Sequence, residues 1–201
     1  MYKKIVVAIC GASGSIYGIR ILKALLETPV EVFLTVSKAG KQVLIHETEY
    51  TGEEFEVFLK TCGVIFHEKA RLNTYDVNDL FAPPASGSFP HNGMVIAPCS
   101  MKTLGSISSG IADDLIHRAA DVCLKEKRPL VLLTRETPLN IIHIENMKKA
   151  ALAGATIMPP CPGFYTRPKT LLEIIDNTAA RALDQLGMQT NTKRWGDKDF
   201  V

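Results

Sequence analysis

The sequence predicts one α/β domain of three layers, helices on both faces of a mainly parallel sheet. Three observations carry that expectation. Short continuous apolar runs recur between amphipathic stretches of helical period. The first run, Ile5 to Ile9, is apolar at every position and reads as a strand buried on both faces. Glycines and small hydroxyl residues follow the runs directly, where a parallel sheet presents its carboxyl edge.

The first run leads into Cys10-Gly11-Ala12-Ser13-Gly14-Ser15. Gly11 and Gly14 permit a tight turn, and Ser13 or Ser15 is the expected cap of a helix from about Ile16 to Glu27. Such a helix start favours an anion, most often a phosphate. Gly18 is misplaced for the dinucleotide fingerprint, and the second strand, Val30 to Val36, ends at Ser37 instead of an acidic residue. No Gly-Lys-Ser/Thr follows either, so a mononucleotide site is expected. Ser37 then caps a helix to about Glu47 or meets a ligand.

A short helix is expected over Gly52 to Lys60 and a weak strand around Val64 to Phe66. Residues 69 to 92, with Pro83-Pro84 and Ser86-Gly87-Ser88, read as a long irregular connection, which is usually functional. Met94 to Ala97 is a buried strand. Helices follow around Thr103 to Ser109 and Asp113 to Glu126, then a strand Leu130 to Thr134 ending in Arg135-Glu136. A helix from about Ile142 to Leu152, a strand Ala155 to Met158, a Pro/Gly-rich loop from Pro159 to Pro168 and a helix Thr170 to Leu186 complete the domain.

The 201 residues suit one domain, and a net charge of +2 gives no reason to expect nucleic acid. No apolar run reaches the ~20 residues of a membrane span, and no signal peptide is expected before so early a strand. The five cysteines are scattered without a disulfide or C-x-x-C pattern, which fits reduced thiols in the cytoplasm. Gly11 to Ser15, Ser37, Ser100 to Thr103, Arg135-Glu136 and Tyr165 all fall at expected strand ends and so converge on one edge.

Gly11-Ala12-Ser13-Gly14, Pro83-Pro84-Ala85-Ser86-Gly87-Ser88 and Pro98-Cys99-Ser100-Met101-Lys102-Thr103 each resemble signatures of the UbiX-type flavin prenyltransferases. So do Arg118-Ala119-Ala120-Asp121, Arg135-Glu136-Thr137-Pro138, Pro162-Gly163-Phe164-Tyr165 and Arg194-Trp195. The resemblance runs along essentially the whole chain and implies a Rossmann-like or flavodoxin-like flavoprotein domain over residues 1–187. The tail, 188–201, would pack on a neighbouring subunit or over the site. Implied too are FMN as cofactor, metal-independent transfer of a dimethylallyl group to N5 and C6 of reduced FMN, and use of the product by a UbiD-type decarboxylase. Homo-oligomers, typically dodecamers, with sites at subunit contacts belong to the same pattern.

Carried over by position, the resemblance assigns Gly11, Ala12, Ser13, Ser37, Ser100, Met101, Lys102, Thr103 and Arg135 to FMN. Position 102 holds Lys where some members have a smaller residue, so its backbone is the carried part. Tyr165 and Arg181 would hold dimethylallyl phosphate, helped by Ser13, Lys125 and Arg135. Glu136 is the implied acid/base, Glu47 a second carboxylate lining the site, and Arg118 and Trp195 further site residues. The charges suit the chemistry: no D-D-x-x-D metal cluster is present, and arginines, a lysine and a tyrosine supply donors for a leaving phosphate.

Plainer readings stand beside these. Arg181 and Asp184 are spaced for an ordinary i, i+3 ion pair. Lys125 opens a charged run typical of a solvated helix end, and Cys99 reads as a small core residue. An FMN-binding companion subunit and a flavin-dependent decarboxylase remain alternative functions, although the Met-Asn clamp of the cysteine decarboxylases is missing.

Overall fold

A computed structural model describes residues 2–190, 192 and 196. Among them, six strands form one all-parallel sheet in the order β3-β2-β1-β4-β5-β6. The strands are β1 (Lys3–Ile9), β2 (Val30–Val36), β3 (Arg71–Tyr75), β4 (Met94–Cys99), β5 (Leu130–Thr134) and β6 (Thr156–Ile157). The helices are α1 (Ser15–Leu26), α2 (Lys38–Glu47), α3 (Phe55–Thr61), α4 (Met101–Ser108), α5 (Leu115–Lys125), α6 (Ile141–Leu152) and α7 (Leu171–Gln185).

Alternation along β1 builds both faces. Ile5, Val7 and Ile9 join Leu22, Leu25, Phe58 and Leu183 in the core under α1, α3 and α7. Val6, Ala8 and Cys10 join Leu104, Ile116 and Ala150 under α4, α5 and α6. The central strands therefore lack the polar alternation of a half-exposed sheet. The strand order reverses between β1 and β4, the switch point where doubly wound sheets open a crevice.

Two expectations change. No strand forms at Val64 to Phe66; the third strand is instead Arg71–Tyr75, inside the stretch expected to be irregular. Its polar sequence belongs to an edge, where one side has no neighbour. Asn73 Nδ2 donates to Glu31 Oε1 of β2 at 3.2 Å, so polarity there is used in pairing. The short helix also starts later than expected, at Phe55, where Phe55 stacks on Tyr50 and Phe58 meets that ring edge-on.

Gly18 lets α1 lie on β4. A Cβ there would sit 2.5 Å from the Ala97 carbonyl oxygen and 3.0 Å from the Ile9 side chain. Alanine would gain up to ~1 kcal/mol in helix propensity, but overpacking against backbone costs about 1–3 kcal/mol. Gly18→Ala is therefore expected to lower the urea midpoint of unfolding; an unchanged or higher midpoint would count against this close approach.

Candidate functional site

Three helices start at the switch point. Ser37 Oγ accepts the Gly40 amide at 2.9 Å and caps α2. Ser100 Oγ accepts the Thr103 amide at 3.2 Å and caps α4, while donating to Thr103 Oγ1 at 3.1 Å. The Met101 and Lys102 amides have no acceptor within α4, as at any helix start. Thr103 is buried, and its hydroxyl donates to Cys10 Sγ at 3.3 Å. Its side chain is thus committed to the protein, not to a ligand.

The start of α1 differs from expectation. Gly14 occupies the N-cap position with φ 105°, and neither serine caps the helix. Glu47, from the last turn of α2, accepts the Gly14 and Ser15 amides at 2.9–3.2 Å. The chain's own carboxylate thus takes up the first amides of α1. Burial alone would raise the Glu47 pKa, but hydrogen bonds from Ser13, Ser15 and Gly14 outweigh it and hold the carboxyl below its usual range.

Arg135 and Glu136 follow β5. The Arg135 amide donates to the Cys99 carbonyl at 3.1 Å, fixing the end of β5 against that of β4. Arg135 Nε and Thr134 Oγ1 are buried without partners among the described residues. Glu136 is exposed and accepts the Thr137 amide at 3.1 Å. A buried guanidinium nitrogen lacking a partner, beside the outward amides of α4, suits an anionic cofactor better than an empty turn does. Gly11, Ala12, Ser13, Ser37, Ser100 to Thr103 and Arg135 are the residues that could hold it.

Tyr165 and Arg181 meet as expected, lining a cavity of about 270 Å³ with Met158, Cys161, Asn177 and Thr178. That is below the roughly 300–1,000 Å³ of pockets for drug-sized ligands. Arg181 Nη1 donates to Asp184 at 3.0 Å, so the plain ion pair forms as well. The exposed Cys161 and the buried Asn177 were not foreseen. Asn177 stands one helical turn before Arg181, which is the signal that could have found it.

Other residues lie elsewhere. α5 runs back to the start of β5, so Lys125 reaches the amino edge of the sheet, away from Ser13 and Arg135. Strands of this length put the two edges about 15–20 Å apart. Within one chain Lys125 therefore does not help Ser13 and Arg135, and it pairs with Glu126 beside Gly87. Arg118 Nε donates to the Ala85 carbonyl at 3.0 Å, and its Nη1 to Asp121 at 2.7 Å. Trp195 and Arg194 lie outside the described residues. Cys99 is a core residue, its thiol pushed well above the ordinary pKa by burial. Asp113, Asp114 and His117 cluster where α5 begins: Asp114 caps the helix, and His117 Nδ1 meets Asp113 at 2.6 Å.

A six-stranded parallel sheet with anion-binding groups at its switch point defines an α/β protein of the nucleotide-binding kind. The Flavoprotein family model matches residues 1–182. A probable UbiX-like flavin prenyltransferase of Bacillus subtilis (strain 168) is 47% identical over 193 residues, covering 96% of this chain and 89% of the relative. The structure of AnUbiX (PadA1) in complex with FMN and dimethylallyl pyrophosphate matches with a TM-score of 0.87 at 42% identity, covering 98% of each chain. A dodecameric FMN-dependent UbiX-like decarboxylase from Escherichia coli O157:H7 matches with a TM-score of 0.83 at 41% identity, over 96% of this chain and 98% of that one. The chain belongs to the UbiX-type flavin prenyltransferases of the Flavoprotein family.

The Glu47 cap has a pH signature. A carboxyl whose pKa is lowered on folding adds stability above its unfolded pKa of about 4.3, lost as pH falls through the folded value. Glu47→Gln is expected to cost roughly 0.5–1 kcal/mol at pH 7, the low end of such contacts because Glu47 is exposed. Denaturant titrations from pH 7 to pH 3 should show wild type and variant converging on acidification, and a constant gap would remove the ionised cap.

Proposed function

We propose that this protein transfers a dimethylallyl group from dimethylallyl phosphate to reduced FMN. The observation that carries the reading is that Tyr165 and Arg181 line one cavity close to the α1 turn. Tyr17 joins the two: it lies by Gly14, and burial, then nearby Cys161, raises its phenol pKa. Among the described residues no helix is long and apolar enough to cross a membrane.

FMN, when bound, supplies the electron-rich flavin that accepts the prenyl group. The protein's own part is to hold that ring and to make phosphate a good leaving group. Ser37, the Ser100 to Thr103 turn and Arg135 would bind the flavin. Arg181 and Tyr165 would grip the phosphoryl oxygens, offsetting charge that grows as the allylic C–O bond breaks. Glu136, exposed at the end of β5, is placed to give a proton to a phosphoryl oxygen and to take one back. With these groups the leaving phosphate needs no metal.

Lys125 fits this scheme only from another copy, because it sits at the opposite edge of the sheet; Arg118 stands near the start of the same helix, α5, committed to the Ala85 carbonyl and Asp121. We read the protein as a homo-oligomer, a dodecamer as in the Escherichia coli relative, with sites at subunit contacts. Exposed Leu139, Ile141, Ile142 and Phe164, beside the crevice, supply apolar surface for such contacts. The domain of residues 1–187 would carry these groups, most of the 188–201 tail lies outside the described residues, and a UbiD-type decarboxylase would receive the product.

The test is anaerobic. Protein with reduced FMN and dimethylallyl monophosphate, without metal, should release flavin heavier by one C5 unit in mass spectrometry. Unchanged FMN, with the diphosphate tried as well, would point to a companion subunit or a decarboxylase instead.

Glu136→Gln should keep FMN bound, since Glu136 lies outside the flavin set, and should slow transfer about 10²–10⁴-fold. Stopped-flow spectra of the reduced protein would measure this, and turnover at the wild-type rate would take Glu136 out of the mechanism.

A further inference from the structure

The helix that carries Arg181 begins outside the core, its first turn capped by Thr170. Leu171, Leu172 and Glu173 are exposed, and α7 enters the core only at Ile175. Two adjacent residues tie it down at that point. Asp176 takes a two-point bond from Arg20 of α1, through Nε and through Nη2 at 2.6 Å. Asn177 Nδ2 donates to Thr166 Oγ1 at 2.9 Å, in the residue after Tyr165. A line of contacts thus runs from α1, through α7, to the loop that presents Tyr165.

Asn177 is a poor choice for stability. It is buried, and its Oδ1 has no partner among the described residues. An unsatisfied acceptor in such a place costs free energy that an apolar side chain would not. Its one bond reaches the Tyr165 loop, and the residue lines the cavity of Tyr165 and Arg181. Arg167, next in that loop, is in the left-handed region at φ 51°, so its backbone would not hold this form for want of alternatives.

We propose that Asn177 is a positioning residue for the substrate phosphate: with Asp176 anchoring α7 on α1, it fixes Thr166 and so sets Tyr165 against Arg181. The inference rests on the prenyl-transfer reading. It concerns placement alone.

The test uses the full chain with oxidised FMN bound and dimethylallyl phosphate as probe, followed by calorimetry. Asn177→Leu and Thr166→Val should each weaken the probe about tenfold, the worth of a hydrogen bond that orders a binding group. The double variant should be no weaker than either single one, because both remove the same bond. FMN affinity should stay within about twofold, and the melting temperature of Asn177→Leu should hold or rise. In turnover the same variants should raise KM and leave kcat at saturation nearly unchanged. Wild-type affinity in both single variants, or additive losses in the double one, would overturn the inference while leaving prenyl transfer intact. Wild-type protein that neither binds the probe nor transfers the group would overturn the parent reading instead.

Discussion

The reversal of strand order between β1 and β4 in an all-parallel sheet shapes everything at the carboxyl edge. It sends α1 to one face and α4 to the other, and it brings the starts of α1, α2 and α4 around one crevice. Each helix start carries a partial positive charge of about half a proton. Three of them facing one another repel unless negative charge lies between. Glu47 supplies that charge for α1, and the hydroxyls of Ser37 and Ser100 each satisfy only one amide of their helices. The remaining positive potential lies at α2, α4 and Arg135. An anionic cofactor belongs there for the same reason that Glu47 belongs at α1.

Much of this was legible in the sequence because it rests on local chemistry. A run apolar at every position, as in β1, β4 and β5, can only be a strand covered on both sides or a buried helix, and flanking glycine and proline decide between them. Ser37 and Ser100 follow such strands directly, and both cap the helices after them. What escaped depends on distant partners. Arg71–Tyr75 reads as loop because its polar residues make sense only beside Glu31 of β2. The cap of α1 comes from 32 residues further along the chain. Two serines at the right spacing pointed locally, and the stronger, charged acceptor won.

Lys125 shows a different limit. Its position along the chain says nothing about which edge of the sheet it reaches; the direction of α5 decides that. Because α5 returns to the start of β5, its last turn belongs to the amino edge. Gly87 and Phe89 reach that edge, held by Arg128, which donates to their carbonyls at 2.7 and 2.8 Å, whereas Ala85 lies further back along α5, beside Arg118. On the proposed reading one chain thus carries two groups of site residues, the main one at the carboxyl edge and Lys125 at the amino edge. In the proposed reaction they meet only if the carboxyl edge of one copy faces the amino edge of another. The exposed isoleucines of α6 beside the first group are then the apolar part of that contact.

The cavity of Tyr165 and Arg181 is built from the least buried parts of the domain: an exposed loop and a helix whose first turn projects from the core. Segments with few apolar contacts open at low free energy, and binding sites are often drawn from them because ligands must enter. Such a site has to recover precision by other means. Here the means are polar and specific: a two-point Arg20–Asp176 bond, the Asn177 amide on Thr166, and the Asp184 carboxylate on Arg181. Directional bonds fix an angle, which apolar packing at a surface does not. The flavin groups, by contrast, stand on buried strand ends and need no such support. On the proposed reading the site therefore divides into a rigid half for the cofactor and a tethered half for a substrate that comes and goes.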